Sequence, residues 1–334
     1  ELGLERNQEL NQQRFFNRWK SVLPGYGTKD PNNLPTNRAC RGRVLFIDGD
    51  TPFPDRDSGS IHTLNYLKIL KSFGLHVTFV PHNLRWRGQY SQYLRRIGIE
   101  VLVRPFWSRL RDIIQKLGPT YDLVFLLRAP IAAELLELVR KHAPSAKVIF
   151  DTVDLHHLRL EREAKVTGSR KARKQAAIMK HVEMDVIRRS DATIVLSSFE
   201  AELLAKLVPD ARVRVIPFVR EITPRKPVPF EKRRDVLFVG GFRHRPNVDA
   251  VHWFVSEVWP LIRARGLNAR FIIVGSHVPP EVQALSRSDI EVKGYVPDLT
   301  EILDKCRVSV APLRYGAGLK GKVISSFSHG VPVV

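Results

Sequence analysis

The sequence predicts an α/β fold of two domains, each built on a parallel sheet. From Arg43 onwards, short β-branched or aliphatic runs alternate with segments of helical periodicity, which is the pattern of repeated βα units. The alternation is interrupted once, between Pro217 and Arg234, where four prolines and several charged residues disfavour both helix and central strand. We therefore predict a linker over residues 217–234 and a ligand cleft between the carboxyl ends of the two sheets.

The first domain is predicted over residues 41–216, with six or seven parallel strands. Its first βα unit consists of a strand at Val44–Ile47, a loop from Asp48 to Ser60, and a helix closed by Gly74. The residues predicted on the buried face of that helix are Ile61, Leu64, Leu67, Leu70 and Phe73. The later strands are predicted at His76–Val80, Ile99–Val103, Leu123–Leu127, Val148–Phe150, Ala192–Leu196 and Val213–Ile216.

The second domain is predicted over residues 235–334. Its strands are expected at Val236–Val239, Phe271–Val274, Ile290–Lys293 and Val308–Ala311, with helices at Val248–Arg265 and Leu299–Lys305. The chain ends on Val331–Val334, an apolar run that predicts the start of a buried strand, and it begins without Met. We therefore expect a fragment whose second domain is incomplete, preceded by a polar connector over residues 1–40 with one amphipathic helix around Arg14–Leu23.

Composition excludes several classes of protein. A hydrophobic content of 43% over 334 residues indicates packed cores and not general disorder. The formal net charge of +20 predicts a positive surface that favours phosphates, nucleic acid or anionic lipid headgroups. Cys40 and Cys306 lack the spacing of a disulfide framework or a zinc site. No run approaches the ~20 apolar residues of a membrane span, so we expect a cytoplasmic protein, with peripheral contact at the inner face of the membrane left open.

Two glycine-containing segments follow predicted strands of the second domain. In the segment Val239–Asn247, the glycines let backbone N–H groups approach a ligand, and Arg243 adds a positive side chain. The segment Tyr315–Lys322 contains three glycines and two lysines, which suit a diphosphate. Each segment alone is also compatible with an ordinary tight turn or a flexible basic loop. Together they predict a phosphate site built by one domain.

Five segments of the second domain resemble, in order, the motifs of glycosyltransferase family 4, the group 1 glycosyltransferases. They are Val239–Asp249, Ile273–Ser276, Gly294–Leu299, Ala311–Gly318 and Lys320–Val334. The resemblance implies the GT-B fold, in which two Rossmann-like domains face a central cleft. It also implies sugar transfer from a nucleotide-sugar donor to a hydroxyl, with retention at the anomeric carbon. We expect no metal or other cofactor, because we identify no Asp-x-Asp cluster at a strand end that would hold Mg²⁺ to the diphosphate, and basic side chains and backbone donors take the place of the cation.

The segment Arg14–Lys20 is similar to the tail that follows family 2 glycosyltransferase domains in large bacterial polysaccharide-assembly proteins. This weaker resemblance implies that the chain is a module of a longer bacterial enzyme of polysaccharide biosynthesis.

The resemblance also implies a donor site. Its residues would be Gly59, Gly241, Arg243, Tyr295, Val296, Gly318, Lys320, Lys322 and Ser325. Arg243 and Lys322 would bind the diphosphate, with Lys320 as the alternative lysine. The backbone around Tyr295 and Val296 would contact the base.

Ser325 departs from the family pattern. Many members carry Glu at this position, where it binds the ribose hydroxyls of the donor. Serine lacks the charge and the bidentate reach of a carboxylate. Either a residue beyond Val334 compensates or donor binding is altered, and a non-catalytic, degenerate nucleotide-sugar-binding module is an alternative to the enzyme.

Residues of the first domain are expected on the opposite side of the cleft. Gly59, in the first βα loop, would let the backbone approach the transferred sugar and phosphate. Asp154, His156 and His157 follow the strand that ends near Phe150, where a titratable group can orient or deprotonate an acceptor hydroxyl. Helix capping or surface polarity is the alternative interpretation of the two histidines.

The stretch Arg159–Arg189 is strongly basic and contains no aromatic residue. This pattern fits a solvated helix face or a contact with an anionic membrane surface, and it lacks the stacking platform of single-strand binders. The expected partners are therefore a nucleotide-sugar donor and a glycan or lipid-linked glycan acceptor, not nucleic acid. A basic nucleic-acid-binding protein is kept as a further alternative, which steep salt-dependent affinity for polyanions would reveal.

Overall fold

The computed structural model describes residues 40–220 and 228–334, together with residues 10–20 except 12, 16 and 19, and it contains two parallel sheets. The strands of the first sheet are β1 (Arg43–Asp48), β2 (His76–Pro81), β3 (Glu100–Val101), β4 (Leu123–Leu127), β5 (Lys147–Asp151), β6 (Ala192–Val195) and β7 (Val213–Val215). Those of the second sheet are β8 (Asp235–Val239), β9 (Phe271–Val274), β10 (Ile290–Gly294) and β11 (Cys306–Ser309). The strand orders are β3-β2-β1-β4-β5-β6-β7 and β10-β9-β8-β11.

Helices connect the strands of both sheets. Those of the first part are α1 (Ser58–Ser72), α2 (Gln89–Arg96), α3 (Leu110–Leu117), α4 (Ala129–His142), α5 (His156–Thr167), α6 (Arg170–Arg189) and α7 (Ser198–Leu207). Those of the second part are α8 (Arg245–Trp253), α9 (Trp259–Ala264), α10 (Pro280–Gln283), α11 (Thr300–Lys305) and α12 (Gly321–Phe327). None of the helices in the described ranges is long and apolar enough to cross a membrane.

The sheets are buried on both faces, which explains why their strands are continuous apolar runs and not alternating ones. Val44–Ile47 in β1 and Phe271–Val274 in β9 are buried along their whole length. Separate hydrophobic clusters cover the two faces of each sheet. All the strands predicted from the sequence are present, although β3 has only two residues.

Two helix predictions need correction. The helix α1 begins at Ser58 because the Asp57 carboxylate accepts the Ser60 N–H at 2.8 Å, and Phe73 lies after its end with 59% of its surface exposed. The single helix predicted over residues 248–265 begins instead at Arg245 and is interrupted by a π turn at Phe254–Val258. Pro260, in the first turn of α9, cannot supply a backbone N–H to the helix that precedes it.

The end of the chain lies beside β11, where the sequence predicted the start of a buried strand; Val331 is buried there, whereas Val334 is 84% exposed. The Ser309 N–H donates to the Pro332 carbonyl at 2.9 Å, and the Val334 N–H donates to the Ser309 carbonyl at 3.0 Å. Among the residues of the predicted connector, 10–20 are partly helical and exposed where described. Residues 1–9 and 21–39 of that connector, and residues 221–227 of the predicted linker, lie outside the described part of the chain.

Candidate active site

The carboxyl ends of the two sheets face a cleft of about 1360 Å³. Eight of the residues predicted for the site line it: Gly59, Asp154, His156, Gly241, Arg243, Lys320, Lys322 and Ser325. The other four, His157, Tyr295, Val296 and Gly318, do not line it. The cleft therefore has two walls, one from the loops of the first sheet and one from the loops of the second.

A tight glycine turn follows β8 on the second wall. A Cβ atom on Gly240 would lie 2.8 Å from the Asn247 side chain, and a Cβ atom on Gly275 would lie 1.9 Å from the Gly240 carbonyl oxygen. The Asn247 amide donates to the Gly241 carbonyl at 2.8 Å and fixes the turn. Only glycine fits at this approach of backbone to backbone. The turn presents Arg243 as an exposed side chain in the cleft.

Lys322, the first side chain after the Gly321 that begins α12, is a half-buried cation of this wall. Its Nζ donates to Asn247 Oδ1 at 2.8 Å and lies 4.0 Å from the centre of the Phe238 ring. Burial and the nearby charge of Lys320 lower the pKa of Lys322 to about 7. In the described ranges, no carboxylate forms an ion pair with it. Its remaining N–H donors are available to an anion in the cleft.

The other lysine has a different position. Lys320 Nζ donates to the carbonyls of Ala317 at 2.6 Å and Gly318 at 3.2 Å, so it closes the glycine loop on itself. Burial lowers the pKa of Lys320, whereas the negative charge of Asp154 on the opposite wall acts in the other direction. Lys320 therefore stabilises the loop, and Lys322 is the lysine with an unneutralised charge.

Asp154 on the first wall is held as an anion. His156 Nε2 lies 3.2 Å from its Oδ1, and Arg159 Nε lies 3.2 Å from its Oδ2. Burial raises the pKa of Asp154, but the His156 hydrogen bond and the charges of Arg159 and Arg128 outweigh it and bring the pKa to about 2. A carboxylate with this pKa is a weak proton acceptor, so it is suited to orient His156 and not to deprotonate an acceptor itself.

The backbone beside Asp154 is strained. Val153, after β5, has a φ of 59°, which a β-branched residue rarely adopts. Arg128, directly after the neighbouring strand β4, has a φ of 70°. The Asp151 carboxylate holds the strained turn by accepting the Val153 N–H at 2.9 Å and contacting the buried His62 ring at 3.0 Å. This support fixes the position of Asp154 at the end of β5.

The expected position of His157 in the cleft is wrong. Its side chain is 1% exposed, and Glu183 of α6 accepts hydrogen bonds from both its backbone N–H, at 2.9 Å, and its Nδ1, at 2.5 Å. The pair joins α5 to α6, and it is Glu183 that caps the first turn of α5 by accepting the His156 and His157 N–H groups. The buried His157 ring therefore has neither the catalytic position nor the surface position that the sequence left open. Its neighbour His156 points the other way, into the cleft.

Tyr295, Val296 and Gly318 also lie outside the cleft lining. The Tyr295 hydroxyl donates across the mouth to Asp55, and Val296 packs against the hydrophobic cluster on one face of the second sheet. The Gly318 N–H donates to Glu200 of α7 at 3.1 Å. These contacts explain their positions: Tyr295 and Gly318 join the two walls, and Val296 supports one of them.

Asp55 connects the walls from the first side. Its Oδ2 accepts hydrogen bonds from Tyr90, at 2.8 Å, and from Tyr295. The Arg56 guanidinium lies 5.6 Å from the centre of the Tyr295 ring and 5.9 Å from that of Tyr90. Further inside, Gly321 approaches Ser58 so closely that a Cβ atom would lie 2.2 Å from the serine side chain. The walls are therefore in contact at two levels.

Several cleft residues were missed by the sequence analysis. They are Arg56, Arg128, Arg159, Arg220, His244 and Asn247. Burial and the positive charges of Arg159, Lys320 and Lys322 lower the pKa of His244 to about 4, so its ring is neutral at pH 7. The sequence signal that could have placed His244 in the cleft was its position directly after Arg243. Arg128 and Arg220 contact Asp48 and Ser325 over 80 and 105 positions, which no local pattern records, whereas Arg159 pairs with Asp154 five residues earlier.

The expectation that no Asp-x-Asp cluster follows a strand is wrong, because Asp48-Gly49-Asp50 stands at the end of β1; both of its carboxylates are engaged by arginine. Arg128 Nε donates to Asp48 at 2.7 Å, and Arg87 binds Asp50 through Nε at 2.9 Å and Nη2 at 2.5 Å. Within the described ranges, no group of three or more His, Cys, Asp or Glu side chains is arranged to hold a metal ion.

Comparison with known proteins agrees with this architecture. Residues 233–334 match the family described as glycosyl transferases group 1. Sucrose-phosphate synthase from Thermosynechococcus elongatus has a similar structure, with a TM-score of 0.64 and 16% identity over 88% of this chain and 80% of that one. A TarM variant from S. aureus, solved with UDP, has a TM-score of 0.63 and 9% identity over 87% and 85%. HepE from Anabaena, solved with UDP and glucose, has a TM-score of 0.56 and 14% identity over 88% and 80%.

These comparisons confirm two expectations. The chain has the GT-B fold, and its residues 233–334 match the group 1 glycosyltransferase family that the sequence motifs resemble. None of the curated proteins compared with the chain matches it in sequence.

Proposed function

We propose that this chain transfers a glycosyl unit from a nucleotide-sugar donor to a hydroxyl acceptor in glycan or polysaccharide biosynthesis, without a metal ion and with retention at the anomeric carbon. The observation that carries the proposal is the unneutralised Lys322 ammonium in the cleft, beside the glycine turn that presents Arg243. The UDP held by the similar HepE and TarM structures gives the same proposal independent support.

The second wall is suited to the leaving diphosphate. When the bond between the anomeric carbon and the diphosphate oxygen breaks, negative charge develops on that oxygen, and preformed cations stabilise it. Lys322 and Arg243 supply these charges from two separate loops. His244, neutral at pH 7, adds a hydrogen-bonding ring without adding charge.

The first wall is suited to the acceptor. The new bond joins the acceptor oxygen to the anomeric carbon, and the acceptor hydroxyl must lose its proton in the same process. The Asp154 anion orients the His156 ring at 3.2 Å, and the cationic wall opposite holds the departing diphosphate, to which the proton can also pass. In retention, the acceptor approaches on the face that the diphosphate leaves.

Donor hydrolysis provides a test that needs no knowledge of the acceptor. The protein is incubated with UDP-, GDP- and ADP-sugars, and nucleoside diphosphate release is measured with EDTA present. We expect release with one base, unaffected by EDTA, and loss of release in Lys322→Ala. Lys305→Ala, an exposed lysine of α11 outside the cleft, is the matched control.

The second function in view is a non-catalytic nucleotide-sugar-binding module, which Ser325 favours because it stands where the family pattern has Glu. Calorimetric binding of a nucleotide sugar without release or transfer, across a set of glycan and lipid-linked acceptors, would establish that function. Absence of any nucleotide binding would overturn both proposals.

The α5–α6 hairpin supports peripheral membrane contact. Residues 164–182 contain six Lys and Arg and no Asp or Glu, and the exposed ones are Lys165, Arg170, Lys171, Arg173 and Lys174. Val166 and Ile178 are exposed beside them. Anionic headgroups are the partner that this charge and its apolar flank fit. Sedimentation with phosphatidylglycerol vesicles, but not with phosphatidylcholine vesicles, is the expected result, and equal sedimentation with both would refute the contact.

A further inference from the structure

The wall formed by α12 carries a second cationic position beyond Lys322. Ser325 follows Lys322 by three residues, so both side chains lie on one face of the helix, and both line the cleft. Arg220, which follows β7, reaches this face from another element. Its Nη1 donates to Ser325 Oγ at 2.7 Å.

The surroundings of Arg220 differ from those of the arginines on the first wall. Arg87, Arg128 and Arg159 each form an ion pair with an aspartate. In the described part of the chain, Arg220 has no such carboxylate, and burial alone lowers its pKa. A half-buried guanidinium bound to one neutral hydroxyl keeps several N–H donors for a ligand. Planar donors of this kind favour carboxylate and phosphate oxygens.

The position is separate from that of the diphosphate. Three residues of an α-helix rise about 4.5 Å, so Ser325 and Lys322 stand one turn apart and can contact different groups of one extended ligand. A ribose hydroxyl pair alone would be better served by an acceptor such as a carboxylate, which this position lacks. Arg220 and Ser325 therefore suit an additional, negatively charged group of the ligand.

We propose that Arg220 and Ser325 form a second oxyanion subsite, which binds an anionic group of the donor other than its diphosphate. This proposal rests on the proposed function. Two donor groups carry the required chemistry: the carboxylate of an acidic sugar and a phosphate on the ribose. Either would be held by the guanidinium with the serine hydroxyl as a second donor.

Calorimetry with the full chain tests the subsite by comparing ligands that differ in one anionic group. The base is chosen first, as the nucleoside diphosphate that binds most tightly. For that base, the affinities of the neutral hexose donor, the hexuronate donor and the nucleotide with an added 3′-phosphate are then measured. We expect one anionic ligand to bind at least ~10-fold more tightly than its neutral counterpart, as a charge-assisted hydrogen bond implies. The preferred ligand identifies the source of the charge.

Variants assign the preference to Arg220. Arg220→Ala should remove it while changing nucleoside diphosphate affinity by less than about 3-fold, a change smaller than that from a lost charge-assisted hydrogen bond. Arg265→Ala, an exposed arginine after α9, is the matched control. Ser325→Glu places a carboxylate beside Arg220 and should also remove the preference for the anionic ligand. If circular dichroism shows that Arg220→Ala is unfolded, Ser325→Glu tests the role of Arg220 in its place.

The two proposals fail differently. If no nucleoside diphosphate binds the wild-type protein, the proposed function is wrong. If nucleotides bind but neither anionic ligand is preferred, or if the preference survives in Arg220→Ala and Ser325→Glu, the subsite is wrong and the proposed function stands.

Discussion

The two walls of the cleft use positive charge in opposite ways. On the first wall, Arg128 and Arg159 are paired with Asp48 and Asp154. On the second wall, Lys322 contacts only an amide oxygen and an aromatic ring. The single acidic residue that lines the cleft from the described part of the second wall, Asp298, accepts a backbone N–H from Thr300.

This difference separates structural charges from ligand-binding charges. A paired arginine holds two elements in register, since each partner satisfies the other. An unpaired buried cation raises the free energy of the empty protein, because its desolvation is not offset until an anion arrives. Mutations of the Asp48–Arg128 pair should therefore act mainly on stability, and mutations of Lys322 mainly on ligand binding and turnover.

The largest effect should come from the first wall. Asp48→Ala leaves Arg128 without its partner and also removes the acceptor for the Thr63 hydroxyl at 2.7 Å. Only the carboxylate of this pair is buried, so the loss should approach the lower end of the about 3–5 kcal/mol that breaking a fully buried pair costs, which urea unfolding followed by circular dichroism would measure. The partly exposed pair of Asp50 and Arg87 provides the control, with about 1 kcal/mol or less expected for Asp50→Ala. Equal losses in the two variants would contradict the structural role of Asp48.

The second wall should respond in activity. Lys322→Ala removes a charge-assisted hydrogen bond worth about 1.5–3 kcal/mol, so donor turnover measured as kcat/KM should fall roughly 10- to 150-fold. Unfolding should be no easier than in wild type, because a desolvated charge is removed. The Arg243→Ala variant should behave similarly, and the double mutant should be non-additive if both residues contact the same phosphate oxygens. Wild-type rates in either single mutant would remove that residue from the diphosphate site.

A pH experiment tests whether diphosphate binding depends on the charge of Lys322 and not only on the size of its side chain. With a pKa of about 7 in the free protein, Lys322 is mostly neutral above pH 7, whereas a bound diphosphate favours its protonated form. Diphosphate affinity should therefore fall about tenfold, or ~1.4 kcal/mol, for each pH unit above 7 until the pKa of the complex is reached. Calorimetry in buffers of different ionisation enthalpy should show proton uptake on binding. Lys322→Arg stays charged and should lose this pH dependence; its persistence would assign the titration to another group.

The smallest effect is expected where the walls meet. Tyr295→Phe removes the hydrogen bond to Asp55 across the mouth, which is worth about 0.5–1.5 kcal/mol at most for an exposed side chain. Stability should hardly change, while the rate of nucleotide dissociation measured by stopped flow should rise a few-fold. The matched variant Tyr90→Phe removes the bond to the same carboxylate within one wall and should leave that rate unchanged. An equal rise of the dissociation rate in both variants would show that the two tyrosines act only by holding Asp55 in place, and that the bond across the cleft has no separate effect.

The sequence predicted the sheets better than the walls. Continuous apolar runs such as Val44–Ile47 indicate buried parallel strands because burial on both faces is a local property of composition. Lys322 and the glycine turn at Gly240 were also found, since their motif lies within one segment. The two histidines at 156 and 157 could not be separated, because Glu183, which binds one of them, comes from another helix.

Arg220 shows why part of the site could not be predicted. Its contact with Ser325 joins residues 105 positions apart, and neither residue belongs to a pattern that requires the other. The same is true of Tyr295, whose backbone was expected at the base but whose hydroxyl contacts Asp55 from 240 positions away. Pairings between sheets depend on how two independently specified folds approach each other, which is not a property of any sequence window.

The shared carboxylate of Asp55 has a kinetic consequence. Because Tyr90 and Tyr295 bind the same oxygen from opposite walls, separation of the walls removes one bond and leaves the other, so the anion never loses its last protein donor. The exposed Tyr295 hydroxyl then exchanges its partner for water at little cost. The walls can therefore separate at Tyr295 without leaving the Asp55 carboxylate unpaired in either position, while the close approach of Gly321 to Ser58 lies deeper in the cleft.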